Sequence, residues 1–290
     1  MRIQDLPEEN LFTSGHTMCP GCGGAIAVRN IMKILGKNTI IYNPACCLLV
    51  CSTTYPLVSW KVPFHHVAFE NTGACITGIK RALKAQGKDD VIVAGIAGDG
   101  GTFDIGLQAL SGAAERNEDV LYICYDNEAY MNTGIQRSGA SPFHAWTTTT
   151  PIGKEGHGNI TFKKDIPAII AAHNVPYVAT ASIGYPVDFI KKIEKAKNIR
   201  GFRYVQIFAP CPTGWKFDPS KTVQLAKLAV EVGIYPILEI ENGVRKVTIK
   251  PKEIPINDEQ LKKYFRLQGR FSHITDDERK QVRDYFDNKW

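Results

Sequence analysis

The stretch from Ala94 to Gly134 constrains this chain more than any other. Val91–Ala97 is short, apolar and rich in Val and Ile, the pattern of a strand buried on both faces of a parallel sheet. Gly98-Asp99-Gly100-Gly101 reads as the turn leaving it, Ile105–Arg116 as a helix and Val120–Tyr125 as the next strand. Such a βαβ unit brings the ends of both strands to one sheet edge, where open α/β folds take their ligands. The glycines let backbone N–H groups approach a phosphate closely. Asp99 and Asn127, 28 residues apart, then offer the hard oxygen donors that Mg²⁺ prefers. A Gly-Asp-Gly alone is more often a plain surface turn and helix cap. Two polar residues that both close apolar strands at βαβ spacing favour the ligand site.

Composition narrows the classes. A chain of 290 residues, 44% hydrophobic, buries a full core. The net charge of +6 is modest, and its excess over Lys163–Arg203 reads as helix surface. No dense basic block with interleaved aromatics suggests nucleic acid. The polar, acidic start shows no signal-peptide pattern, and no apolar run approaches the roughly 18 residues of a membrane span. Eight cysteines in so long a chain point to metal ligation in a reducing cytoplasm rather than to a disulfide framework.

In chain order, residues 1–15 read as an irregular arm, followed by a cysteine-rich turn and the helix Ala25–Leu35. Thr39–Tyr42 is a short strand, and Leu48–Ser52 is apolar but too short to place. Gly73–Gln86 is a small-residue helix, and Gly134–Asn159 a long polar loop of the kind kept for function. Lys164–His173 and Pro186–Lys197 are helices, Tyr177–Ala181 and Arg203–Ala209 strands. Ser220 is expected to cap the helix Ser220–Val232. Tyr235–Ile240 and Val244–Ile249 form a hairpin around Asn242-Gly243. Two helices, Leu261–Leu267 and Asp276–Asn288, occupy the tail, the second capped near Thr275. Residues 1–250 thus read as one α/β domain, and 251–290 as a helical tail packing on a partner subunit or on its own domain.

Cys19 and Cys22 form a C-x-x-C among glycines, which alone fits a redox dithiol, half a zinc site or part of an iron–sulfur site. No second C-x-x-C completes a four-cysteine zinc knuckle. Cys46 or Cys47, and Cys211, sit in Pro/Gly-rich loops at strand ends, where thiols are accessible. Cys51, Cys75 and Cys124 read as buried, inert thiols. Four thiolates gathered from dispersed loops suit a [4Fe–4S] cluster.

Several segments now point one way. Gly15-His16-Thr-Met-Cys19-Pro-Gly-Cys22, Asn43-Pro-Ala-Cys-Cys47, His66-Val-Ala-Phe-Glu-Asn71 and Gly98-Asp-Gly-Gly-Thr-Phe-Asp104 are four of them. Tyr125-Asp-Asn-Glu-Ala-Tyr-Met-Asn-Thr-Gly-Ile-Gln136, Thr148-Thr-Thr-Pro-Ile-Gly-Lys154 and Leu267-Gln-Gly-Arg-Phe271 complete the set. Together they resemble, nearly end to end, the beta subunit of pyruvate:ferredoxin oxidoreductase (pyruvate synthase), in the 2-oxoacid:ferredoxin oxidoreductase family. The resemblance implies a thiamine diphosphate-binding fold, a mostly parallel sheet with helices on both faces. It implies Mg²⁺ held by the Asp99 and Asn127 side chains and the Ala129 carbonyl, with Gly98 and Gly100 shaping the diphosphate nest. Asn132 then reaches toward the substrate, and Cys19, Cys22, Cys47 and Cys211 hold a [4Fe–4S] cluster. Cys47 is chosen over Cys46 because the family's third cysteine directly precedes the apolar strand.

The resemblance also implies an alpha subunit that supplies the activating glutamate and the arginine meeting the substrate carboxylate. A gamma subunit, a ferredoxin-like delta subunit, external ferredoxin and coenzyme A belong to the same picture. Glu70 is expected to make a structural hydrogen bond. His16 and His66 either line the cofactor pocket or are satisfied loop histidines. His144 and Trp146 stand where smaller residues are expected, which leaves oxalate, branched 2-oxoacids and 2-oxoglutarate as alternative substrates. The reading from another class is a non-redox thiamine-dependent decarboxylase or transketolase-like subunit with structural zinc.

Overall fold

A computed structural model describes residues 3–289; residues 1 and 2 of the expected N-terminal arm, and residue 290, lie outside the described residues. One eight-stranded sheet runs through the molecule in the order β2-β1-β3-β4-β6-β5-β7-β8. The strands are β1 (Thr39–Pro44), β2 (Phe64–Val67), β3 (Ile92–Gly98), β4 (Leu121–Asp126), β5 (Tyr177–Ser182), β6 (Arg203–Phe208), β7 (Ile237–Glu241) and β8 (Val244–Ile249). The first six pair in parallel, and β7 and β8 close one edge as the antiparallel hairpin expected around Asn242-Gly243.

Alternation along the central strands feeds two cores. Ile96, Leu121, Ile123 and Tyr125 enter the core shared with α1 (Gly23–Leu35), which packs on the helix Pro186–Asn198. Val93, Ala97, Tyr122 and Cys124 enter the other, roofed by the paired helices Thr72–Ala85 and Leu107–Glu115. Every residue of β4 is buried, as a central parallel strand covered on both faces requires. Because β3 and β4 are neighbours, with Gly98 opposite Tyr125, the residues that follow both strands emerge side by side.

Local readings needed correction at three places. Leu48–Ser52 is not a strand: Cys47–Ser52 is a short helix, α2. A run of six residues, five of them apolar, carries no period long enough to separate the two. The chain also does not turn between Gly98 and Gly101; it enters helix at Asp99 and passes through a π turn at Gly101–Ile105. Single π turns of this kind recur at functional sites. Ser220 is not a cap. Asp218 is, its carboxylate accepting from the Ser220 N–H at 2.8 Å, before a 3₁₀ turn leads into Thr222–Glu231. The tail helices Asp258–Arg266 and Asp276–Asp287 send Leu261, Phe265 and Val282, together with Phe271, into this chain's own core. The second of them starts with the expected Thr275 cap, completed by Glu278 as a capping box.

Candidate active site

Gly98, Asp99, Gly100, Asn127, Ala129 and Asn132 all line one cavity at the carboxyl edge of the sheet, and Cys46 and Cys47 form part of its wall. Its volume of about 200 Å³ is smaller than the roughly 300–1,000 Å³ that encloses a ligand of cofactor size. This cavity alone is too small to enclose such a ligand. Gly100 is glycine for space: a Cβ there would overlap the Tyr130 ring, which is fixed by a 2.9 Å hydrogen bond from its hydroxyl to Asp104 Oδ2.

Asp99 is only 1% exposed. Its Oδ1 accepts the Asn127 N–H at 3.3 Å and its Oδ2 the Ser138 hydroxyl at 2.5 Å. Burial first, and then the charge on Asp126, raises its proton affinity well above the carboxylate range, against the opposing pull of Ser138 and Lys163. A buried carboxylate so disposed gains from any cation placed against it, and its donor chemistry fits a hard divalent ion.

Behind Asn127 lies a second layer that the sequence reading missed. Burial pushes Asp126 up to about 6 even though Lys163 Nζ stands 2.5 Å from Oδ2 and the Gln206 amide donates at 2.7 Å. Glu128 holds a left-handed backbone, with φ of 68°, and is gripped by Lys163 at 3.0 Å and Arg270 at 2.6 Å. The Trp215 indole N–H donates to the Asn127 carbonyl at 2.7 Å. Asp126 and Glu128 had carried a sequence signal within Tyr125–Gln136, and Arg270 within Leu267-Gln-Gly-Arg-Phe271, whereas Lys163, Gln206 and Trp215 had not.

The cysteines converge from three loops. The Gly23 N–H donates to the Pro210 carbonyl at 3.1 Å, and the Thr213 hydroxyl reaches Cys19 Sγ at 3.6 Å. These contacts join the Cys19–Cys22 turn to the Cys211 loop. Burial raises the Cys47 thiol, with further pushes from Cys46, Cys211, Cys22 and Cys51. Cys211 rises to about 11, again by burial first and then by Cys22 and Cys19. Cys47 thus lies within electrostatic reach of Cys211 and Cys22 as well as of Cys46 and Cys51, whereas Cys46 accepts a hydrogen bond from Asn43 at 3.3 Å. Cys51 is half-buried, four residues after Cys47 on α2, and sits against the same group rather than as an isolated core thiol. Among the described residues no three His, Cys, Asp or Glu side chains close around a single ion. Thiols gathered from separate loops are the kind of donor set an iron–sulfur cluster takes, because its thiolates bind different irons of one large core.

The two loops interlock. A Cβ on Gly214 would overlap the Met131 sulfur and sit 3.4 Å from Cys211 Sγ, so the cavity-lining Met131 packs directly over the cysteine loop.

Other expectations fall away from the cavity. Glu70 is exposed, and among the described residues its carboxylate makes no hydrogen bond. His66 is exposed, and His16 stacks on Phe12 at 5.2 Å; neither lines the cavity. His144 is buried beside Glu278, at 3.4 Å, and Trp146 lies under Lys216 with its N–H bonded to the Arg270 carbonyl at 2.9 Å. Both support the long loop and neither borders the cavity.

With this geometry in hand, the class is defined by comparison. Residues 49–207 match the family model for the C-terminal thiamine pyrophosphate-binding domain of thiamine pyrophosphate enzymes. Pyruvate synthase subunit PorB of Methanothermobacter thermautotrophicus is 52% identical over 98% of this chain and 97% of its own length. The PorB of Methanocaldococcus jannaschii is 49% identical, over 100% of this chain and 98% of its own. Ketoisovalerate oxidoreductase subunit VorB of Pyrococcus abyssi is 46% identical, covering 98% and 93%. A 2-oxoglutarate:ferredoxin oxidoreductase from Magnetococcus marinus, solved with 2-oxoglutarate, coenzyme A and succinyl-CoA, has a similar structure. Its TM-score is 0.59 at 25% identity, over 78% of this chain and 80% of that one. The chain belongs to the thiamine pyrophosphate-dependent 2-oxoacid:ferredoxin oxidoreductase family, among its PorB/VorB-type subunits. It is thus one subunit of an oxidoreductase that acts with partner subunits.

Proposed function

We propose that this subunit serves a pyruvate:ferredoxin oxidoreductase, coupling pyruvate, coenzyme A and two oxidised ferredoxins to acetyl-CoA, CO₂, a proton and two reduced ferredoxins, reversibly. One observation carries this reading: Asp99 and Asn127 sit at adjacent strand ends, and the thiols of Cys19, Cys22, Cys47 and Cys211 gather across the Met131–Gly214 contact. Asp99, Asn127 and the Ala129 carbonyl would hold Mg²⁺, Gly98 and Gly100 would admit the diphosphate, and Asn132 would face the substrate. Thiamine diphosphate supplies the electron sink for decarboxylation, and a [4Fe–4S] cluster takes electrons one at a time. This chain's residues mainly position. Ser138 orients the Asp99 carboxylate, and Met131 keeps the cofactor loop against the cysteine loop, where short separation serves electron transfer. The small cavity supports a site completed by a partner alpha subunit carrying the glutamate and the arginine. Gamma and ferredoxin-like delta subunits would complete the complex, in the cytoplasm where free thiols persist.

The VorB relatives favour a second reading, a branched 2-oxoacid in place of pyruvate. Purifying the native complex, measuring iron, acid-labile sulfide and zinc, and assaying a panel of 2-oxoacids decides between them. Expected are iron with sulfide, and fastest ferredoxin reduction with pyruvate. Zinc without sulfide would end the electron-transfer account, and faster turnover of 2-oxoisovalerate would move the substrate to the branched class.

A further inference from the structure

Two buried residues outside the cavity lock the turn between Asn127 and Ala129. Trp215 ends the one-turn helix Pro212–Trp215, its N–H bonded to the Cys211 carbonyl at 2.9 Å, while the Gly214 N–H meets Cys211 Sγ at 3.3 Å. From there its indole N–H reaches the Asn127 carbonyl at 2.7 Å. Arg270 comes from the far end of the sequence. Its guanidinium lies over the Trp215 ring at 3.7 Å, with Nη2 on Glu128 at 2.6 Å and Nε on Gln268 at 2.9 Å. Glu128 is the strained member of the turn, because a non-glycine residue enters the left-handed region only when its surroundings hold it there. Lys163 and Arg270 hold its carboxylate, and the Ser141 hydroxyl holds its carbonyl at 2.9 Å. Asn127 and Ala129, on either side, line the cavity, whereas Trp215 and Arg270 do not.

We infer that Trp215 and Arg270 are positioning residues that hold the Asn127–Ala129 turn in its metal-binding shape, and that Trp215 ties this turn to the Cys211 loop. The inference rests on the proposed Mg²⁺ and thiamine diphosphate site. Releasing either residue lets the strained turn relax and moves two donors of the cation without touching the cofactor. Second-layer changes of this kind weaken metal binding about ten- to a hundredfold.

The test measures thiamine diphosphate retained by the assembled complex as free Mg²⁺ is varied, alongside iron content and thermal midpoint. Trp215→Phe keeps the ring and removes only the N–H. The Mg²⁺ needed for half-retention should rise about tenfold with iron unchanged, and saturating Mg²⁺ should restore retention. Arg270→Met should show the same pattern more strongly, and Arg270→Lys, which keeps the charge but not the flat fork, should lie between it and the wild type. An unchanged Mg²⁺ requirement in Trp215→Phe overturns the inference. So does a loss of cofactor that Mg²⁺ cannot restore, since that marks a merely structural role. If Arg270→Met does not assemble, Trp215→Phe still decides. If the wild-type complex retains cofactor with no dependence on Mg²⁺, the functional reading fails first, and this inference with it.

Discussion

Asp119 precedes β4 at the amino edge of the sheet, and Asp99 follows β3 at the carboxyl edge. Asp119 is met by Arg203 at 2.5 Å, Arg200 at 2.8 Å and Lys80 at 3.3 Å. Burial alone would raise its proton affinity, but these three cations overrule it and hold Asp119 below the ordinary carboxylate range. Asp99 receives a hydroxyl and a backbone N–H, and its affinity for a proton goes up. Beside Asp119, Glu118 is likewise held down by Arg81 and Arg116. One edge satisfies its carboxylates from within the chain and gains stability. The other holds a carboxylate in a state that a bound cation would relieve.

The comparison breaks most visibly at Asp99. Asp99→Ala should reduce Mg²⁺-dependent retention of thiamine diphosphate in the assembled complex by more than about a hundredfold, beyond what second-layer changes reach. Thermal stability of the same variant should hold or rise, because a carboxyl group that is costly to bury is gone. A matched fall in stability and retention would mean that Asp99 is structural. At the opposite edge, Asp119→Asn should lower unfolding stability by about 2–3 kcal/mol and leave the Mg²⁺ requirement unchanged. Chemical denaturation and the retention assay check the two halves.

The sign of its pH dependence follows. A depressed carboxylate contributes stability that is complete above its unfolded pKa, near 3.8, and is lost as pH falls through the lower folded value. The gap between wild type and Asp119→Asn should therefore be flat at neutral pH and close below about pH 4. A gap that widened on acidification would contradict the pairing. The smallest effect is expected at Ser138→Ala, which removes the hydroxyl from Asp99 Oδ2 and should raise the Mg²⁺ requirement about threefold.

The strands, their parallel order at the site and the pairing of Asp99 with Asn127 were legible because each depends on local signals. Apolar runs end in a polar residue, and one helix-length spacing separates them. The C-x-x-C turn and Cys211 announced themselves as exposable loop thiols. What stayed hidden is long-range or short-period. Lys163, Trp215 and Arg270 act on the turn from elements far along the chain, and nothing in their immediate neighbours reveals the contact. α2 was misread because six mostly apolar residues fit strand and helix alike, and the cap at Asp218 because Ser220 is an equally good capping type two residues on.

One ion pair has a consequence in time. Glu128 and Arg270 are 142 residues apart, so at roughly 5–20 residues per second the turn is synthesised many seconds before the side chain that grips it. A nascent chain that has not reached residue 270 holds the segments of β3 and β4 yet lacks the clasp on the turn that follows β4. The turn takes its held shape only once the tail, which acts as the final stitch, has been made.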